Sequence, residues 1–89
     1  MKAVRILISG KVQGVFFRVS TKKIAQEYSI CGWCRNTKDG KVDIFAQGYY
    51  KRLDDFLKWC NDGPDTARVD NVEVELVAPQ NFESFEIRY

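Results

Sequence analysis

The residues of this 89-residue chain with most to offer chemically stand together in Gly10-Lys11-Val12-Gln13-Gly14-Val15-Phe16-Phe17-Arg18. Two glycines fall between an apolar run and an amphipathic one, and an arginine stands where the second begins. A segment of this kind can turn several backbone N–H groups inward and close the ring with a guanidinium. That arrangement suits a dianionic oxygen cluster such as a phosphate. The placement of Arg18 is an argument in itself. A helix N-terminus is the positive end of the helix dipole, so a cation there gains little unless an anion is bound beside it.

The elements that must hold such a loop can be read from periodicity. Residues 3–9 alternate, with Val4, Ile6 and Ile8 on one face and Arg5, Leu7 and Ser9 on the other, which predicts a strand. From Phe17 to Ile30 the set Phe17, Thr21, Ile24, Ala25 and Tyr28 keeps helical spacing on one stripe, with Gly32 as the stop. Trp33 to Thr37 reads as a second strand, and Lys38-Asp39-Gly40-Lys41 offers Asp-Gly as a two-residue hairpin turn. Val42, Ile44 and Ala46 alternate with Asp43, Phe45 and Gln47 in a third strand that ends near Gly48.

Leu53, Phe56, Leu57 and Cys60 lie at i, i+3, i+4 and i+7, so a second helix is expected over 50–61, ended by Asn61-Asp62-Gly63-Pro64. Val69 and then Val72, Val74 and Leu76 share a stripe whose phase breaks at Asp70-Asn71, the mark of a bulge. Pro79-Gln80-Asn81 turns the chain, and Phe85, Ile87 and Tyr89 alternate with their neighbours in a short last strand. The order β-α-β-β-α-β is the split βαβ pattern. The expected fold is therefore α+β and ferredoxin-like: an antiparallel sheet of four to five strands with two helices on one face. Trp33 and Phe16 are expected in its core.

This topology also brings distant residues together. The first strand runs up, the helix returns, and the second strand runs up again. Its C-terminal end therefore falls on the same sheet edge as the Gly10–Arg18 loop, and Asn36 can approach that loop.

Here the chain resembles a known family. The first block, Gly10 to Arg18, and the second, Gly32-Trp33-Cys34-Arg35-Asn36-Thr37-Lys38-Asp39-Gly40-Lys41-Val42, are similar to the two signature blocks of the acylphosphatases, in the right order and at matching chain length. The resemblance covers nearly the whole chain and implies one acylphosphatase-like domain over residues 1–89. It implies hydrolysis of carboxyl-phosphate anhydrides without a metal or other cofactor. Arg18 would bind the phosphoryl group, and the backbone amides of Gln13, Gly14, Val15, Phe16 and Phe17 would hold its oxygens. Asn36 would orient the attacking water, so that Arg18 and Asn36 are the catalytic pair. Cys34 stands where the family usually has a plain apolar residue, a departure that touches packing more than chemistry. The partner implied is a small acyl phosphate, with inorganic phosphate as product.

Composition sets the outer limits. The chain is 45% apolar and 13% aromatic, enough for a compact core, and no run approaches the ~20 apolar residues of a membrane helix. Arg5 interrupts the opening apolar run, so a secretory signal is not expected, and a cytoplasmic monomer is. The short ends favour a free-standing protein over a module of a larger carbamoyl-transfer enzyme. Residues 1–41 hold nine Lys/Arg against two acids (+7) and residues 42–89 hold five against ten (−5). The anion loop thus sits in the basic half.

Cys31, Cys34 and Cys60 form an odd set. Cys31-Gly32-Trp33-Cys34 has C-x-x-C spacing but falls where a helix ends, the wrong end of the dipole for a reactive thiolate. All three cysteines are expected to serve as small apolar residues. Two alternatives share the scaffold: a non-catalytic phosphate or anion binder, and an RNA-binding module. The third strand offers RNA only Phe45, beside the repelling Asp43, so nucleic acid is not expected as a partner, nor is a membrane. With no histidine to supply acid–base chemistry, turnover would rest on positioning and charge stabilisation.

Overall fold

The computed structural model describes all 89 residues. The elements are β1 (Lys2–Lys11), α1 (Phe17–Glu27), β2 (Cys31–Asn36), β3 (Val42–Gly48), α2 (Tyr50–Asp62), β4 (Arg68–Val77) and β5 (Phe85–Arg88). The strands lie in the order β4-β1-β3-β2-β5. Since β3 is antiparallel to both β1 and β2, those two strands point the same way with β3 between them. That is one split βαβ unit, with α1 as its crossover. The second unit interleaves with it: β3 and β4 flank β1, both antiparallel to it, and α2 joins them.

The sheet is not wholly antiparallel, as the periodicity had suggested. β5 pairs parallel to β2, with Gly32 opposite Phe85. The reversal after β4 sends β5 antiparallel to β4, yet it docks on the far edge beside β2, which also runs opposite to β4. The crossing segment is clamped on its way: Gln47 Nε2 donates to Gln80 O at 2.7 Å, and Gln80 N–H returns to Gln47 Oε1 at 2.9 Å.

Core formation follows the alternation. Val4, Ile6, Ile8, Cys34, Val42 and Ile44 meet Phe17, Ala25, Leu53, Phe56 and Cys60 from the helices. On the other face Trp33 and Phe45 form a smaller cluster beneath Phe82, whose ring lies 5.2 Å from that of Phe45. Arg5, Arg35 and Arg88 hold their guanidiniums 4.9, 5.6 and 5.0 Å from the Trp33 ring. Arg5 and Arg35 also pair with the buried Asp43, at 2.7 and 3.1 Å. β3 is thus covered on both sides, and Phe45 presents no free face on which a base could stack.

Four local expectations are revised. α1 ends at Glu27 rather than at Ile30: Ser29 adopts a left-handed φ of 55°, and Ile30 N–H reaches back to Ala25 O at 2.8 Å. Gly32 does not stop a helix. It lies within β2 at φ 140°, where a Cβ would run into the Phe45 carbonyl. The β2–β3 connection is five residues, Thr37 to Lys41, closed by Thr37 N–H to Lys41 O at 2.9 Å, and not a two-residue Asp-Gly turn. The break expected in β4 is present: Ser9 faces Asn71 and Gly10 faces Val69, which leaves Asp70 as the extra residue of a bulge. Gly10 consequently belongs to β1 and not to the loop.

Candidate active site

β1 and β2 open on the same sheet edge, and Ile8, Val42 and Asn36 lie in register across the three central strands there. Residues 12–16 leave β1 at this edge and α1 starts at Phe17. Between them is a cavity of about 220 Å³ lined by Val12, Gly14, Phe16, Phe17, Arg18, Val19 and Asn36. A larger depression of about 480 Å³ lies elsewhere on the sheet, but Asp43, Glu73 and Glu75 line it against the lone cation Arg5, a poor setting for an anion.

The loop geometry concentrates N–H groups. Gly14 has φ 71° and Phe16 φ 60°, with Val15 of ordinary hand between them. Such alternation makes successive amides converge into a nest. Beyond its two chain neighbours, no atom lies within 4 Å of the point where a Gly14 Cβ would stand, so glycine is needed there for its φ and not for space. Thr66 Oγ1 donates to Val15 O at 2.7 Å, and in a trans peptide this aims Phe16 N–H the opposite way. The first helical amide to find a carbonyl is Ser20 N–H, which donates to Phe16 O at 3.0 Å. The amides of the turn before it are the unpaired donors of a helix start. Phe16 holds this shape at a cost of about 1–2 kcal/mol for a left-handed non-glycine residue.

Phe16 is not in the core. Its neighbours Val15 and Phe17 are buried, and its own side chain is 77% exposed. Phe17 anchors the helix start instead, its ring 5.6 Å from that of Trp59. Val15 packs into the core without lining the cavity. The Gln13 side chain also points elsewhere: its Nε2 donates to Thr37 O at 2.8 Å and Lys41 O at 2.9 Å, which ties the loop to the hairpin that follows Asn36.

Arg18 lines the cavity and is held from behind. Its Nη1 donates to Arg88 O at 3.2 Å, and its guanidinium sits 4.7 Å from the Tyr89 ring centre. Its own carbonyl accepts the Cys34 S–H at 3.7 Å, so the first turn of α1 is tied to the strand that carries Asn36. Burial pushes the Cys34 thiol up to about 12, against the weaker opposing pull of Arg18 and Lys22, and keeps it a neutral donor. Cys31 and Cys34 are three apart on one strand and so face opposite sides of the sheet.

Asn36 completes the wall. Its Oδ1 is buried and pairs with no protein donor, the sole side-chain atom of this kind in the molecule. Asp39, the one carboxylate of the adjoining hairpin, is taken up by the Thr37 hydroxyl and by Lys41 Nζ at 3.8 Å. The Thr37 hydrogen bond holds its carboxyl below the usual range, which makes it a weaker base. Of the residues picked out from the sequence, Gly14, Phe16, Phe17, Arg18 and Asn36 meet at one cavity, while Gln13 and Val15 support it from outside. Val12, Val19 and Tyr89 were missed. Helical spacing from Phe16 could have found Val19, but no local signal points to Tyr89.

The Acylphosphatase family model matches residues 4–87. An acylphosphatase of Legionella pneumophila (strain Corby) is 45% identical over 83 residues, 93% of this chain and 91% of its own. One from Archaeoglobus fulgidus is 45% identical over all 89 residues, with both chains fully covered. The crystal structure of acylphosphatase from Bacillus subtilis superposes with a TM-score of 0.97 at 31% identity, again covering both chains fully. With its two signature blocks brought to one cavity and its whole length shared with these relatives, the chain belongs to the acylphosphatase family of hydrolases.

Proposed function

We propose that this chain hydrolyses acyl phosphates to carboxylate and inorganic phosphate with Arg18 and Asn36 as its catalytic pair. The loop amides at Gly14, Phe16 and Phe17 and the Arg18 guanidinium hold the phosphoryl oxygens, and Asn36 aims the water. The observation that carries the assignment is that Asn36 lines the same cavity as Arg18 and the unpartnered loop amides, with a carboxamide whose Oδ1 pairs with no protein donor. A buried acceptor left unpaired costs about 1–3 kcal/mol. A water held by the carboxamide removes that cost once a small side-chain rotation opens the oxygen to the cavity, and it is fixed in place by doing so.

An acyl phosphate is already an activated anhydride with a good leaving group, so the barrier responds mainly to positioning and charge. The loop amides and Arg18 neutralise charge on the equatorial oxygens, and they do so without reorganising as the reaction proceeds. The water oxygen bonds to phosphorus as the bond from phosphorus to the acyl oxygen breaks, and that electron pair leaves with the carboxylate. The water's proton passes to a phosphoryl oxygen of the substrate, since Asp39 is engaged and no other carboxylate adjoins the cavity.

The test is release of carboxylate and phosphate from benzoyl phosphate. Asn36→Ala is expected to lower kcat about 100-fold, the scale of a misplaced reacting group, while inhibition by inorganic phosphate stays nearly constant. Arg18→Ala is expected to remove both turnover and phosphate binding. Equal loss of kcat and phosphate affinity in Asn36→Ala would make that residue structural.

A further inference from the structure

The rim of the cavity suggests which acyl groups it takes. Its lining contains one charged side chain, Arg18, and one carboxamide, Asn36; the other side chains are apolar or absent. At about 220 Å³ it is smaller than the ~300–1,000 Å³ pockets that enclose a drug-sized ligand. It has room for the phosphoryl-carboxyl head, and the rest of the acyl group must lie at the mouth. There Phe16 is 77% exposed and Val19 61% exposed, both on the cavity wall and three residues apart across the start of α1.

Neither side chain is explained by folding. Phe16 contributes almost no burial, and its left-handed backbone would sit more easily with asparagine or glycine. Val19 is a β-branched residue on an exposed helical position, where straight-chain residues do better. Two exposed apolar groups side by side at the mouth of a site are an apolar ledge, and a ledge of this kind gains by being covered.

The geometry points to Phe16 and Val19 as the specificity-determining residues of the acyl subsite, which selects acyl phosphates with aromatic or branched apolar acyl groups over acetyl or carbamoyl ones. This rests on the hydrolysis proposed above. The phosphoryl group binds inside with its leaving oxygen opposite the water, so the acyl group is directed outward across the ledge.

The experiment reads the ratio of kcat/KM for benzoyl phosphate to that for acetyl phosphate. Both release ordinary carboxylates, and any loss common to the two cancels in the ratio. The parent protein is expected to favour benzoyl phosphate. Phe16→Asn, which tolerates the left-handed backbone, should lower the ratio about fivefold, the scale of one aromatic contact. Val19→Thr, which keeps the shape and adds a hydroxyl, should lower it about twofold. The double variant should fall further, and Phe16→Tyr should keep the parent ratio. A double variant with an unaltered ratio overturns the subsite while leaving the hydrolysis intact. A parent protein that turns over neither substrate overturns the hydrolysis itself, and the subsite with it.

Discussion

The guanidinium of Arg18 rests 4.7 Å from the ring centre of Tyr89, the last residue of the chain, while its Nη1 donates to the carbonyl of Arg88 at 3.2 Å. The residue proposed to meet the phosphoryl group is therefore held by the opposite end of the polypeptide. An arginine has several rotatable bonds to freeze before it can meet an anion. Stacking on a ring limits those rotations before the substrate arrives.

Tyr89→Ala should thus weaken both phosphate inhibition and kcat/KM about twofold to fivefold, the range of an exposed cation–π contact. Tyr89→Phe should behave as the parent, because the contact uses the ring face and not the hydroxyl. Steady-state kinetics with inorganic phosphate as competitor checks this. A phenylalanine variant as impaired as the alanine one would assign the effect to the hydroxyl instead.

Gln13 couples the loop to the hairpin beyond Asn36 through two hydrogen bonds from one amide nitrogen. Gln13→Ala should cost about 1–2 kcal/mol of stability in chemical denaturation, with a fall in kcat as the loop and Asn36 lose their common frame. Gln13→Glu should be no better despite its shape, since a carboxylate cannot donate to two carbonyl oxygens. Full recovery in the glutamate variant would mean that packing, and not hydrogen bonding, sets the loop.

Stability should fall in alkali for a reason built into the core. Cys34 and Cys60 are fully buried, and burial raises both thiols, Cys34 from 9.0 to about 12. Above about pH 9 the unfolded chain gives up protons that the folded chain keeps. The unfolded state then binds fewer protons, and unfolding free energy declines with rising pH, by up to about 1.4 kcal/mol per pH unit for each thiol. Denaturation curves from pH 8 to 10.5 should show the decline, and a Cys34→Ala/Cys60→Ala variant should flatten it. An equally steep fall in that variant would place the cause in other groups.

Turnover should have a level pH profile. The chain has no histidine, and Asp39 is held low by Thr37. We expect kcat to vary little between about pH 5 and 8. A bell with two steep limbs in that window would expose a general acid or base outside the Arg18–Asn36 pair.

The sequence by itself determined the elements and their order, because periodicity records which face of each segment must be buried. The stripe of Phe17, Thr21 and Ala25 specified α1, and the alternation of Val42, Ile44 and Ala46 specified β3. It also placed Arg18 at a helix start and Asn36 at a strand end, positions fixed by local spacing alone. Only the tertiary structure decided that Tyr89 lies under Arg18, that the Gln13 side chain reaches Thr37 and Lys41, and that β5 runs parallel to β2. These depend on strand order, and a pattern that says which face is buried carries no information about which strand lies next to it. Phe16 failed as a core residue for the same kind of reason. Its apolar character predicts burial, but the left-handed turn that gathers the loop amides directs its side chain out to the mouth of the cavity.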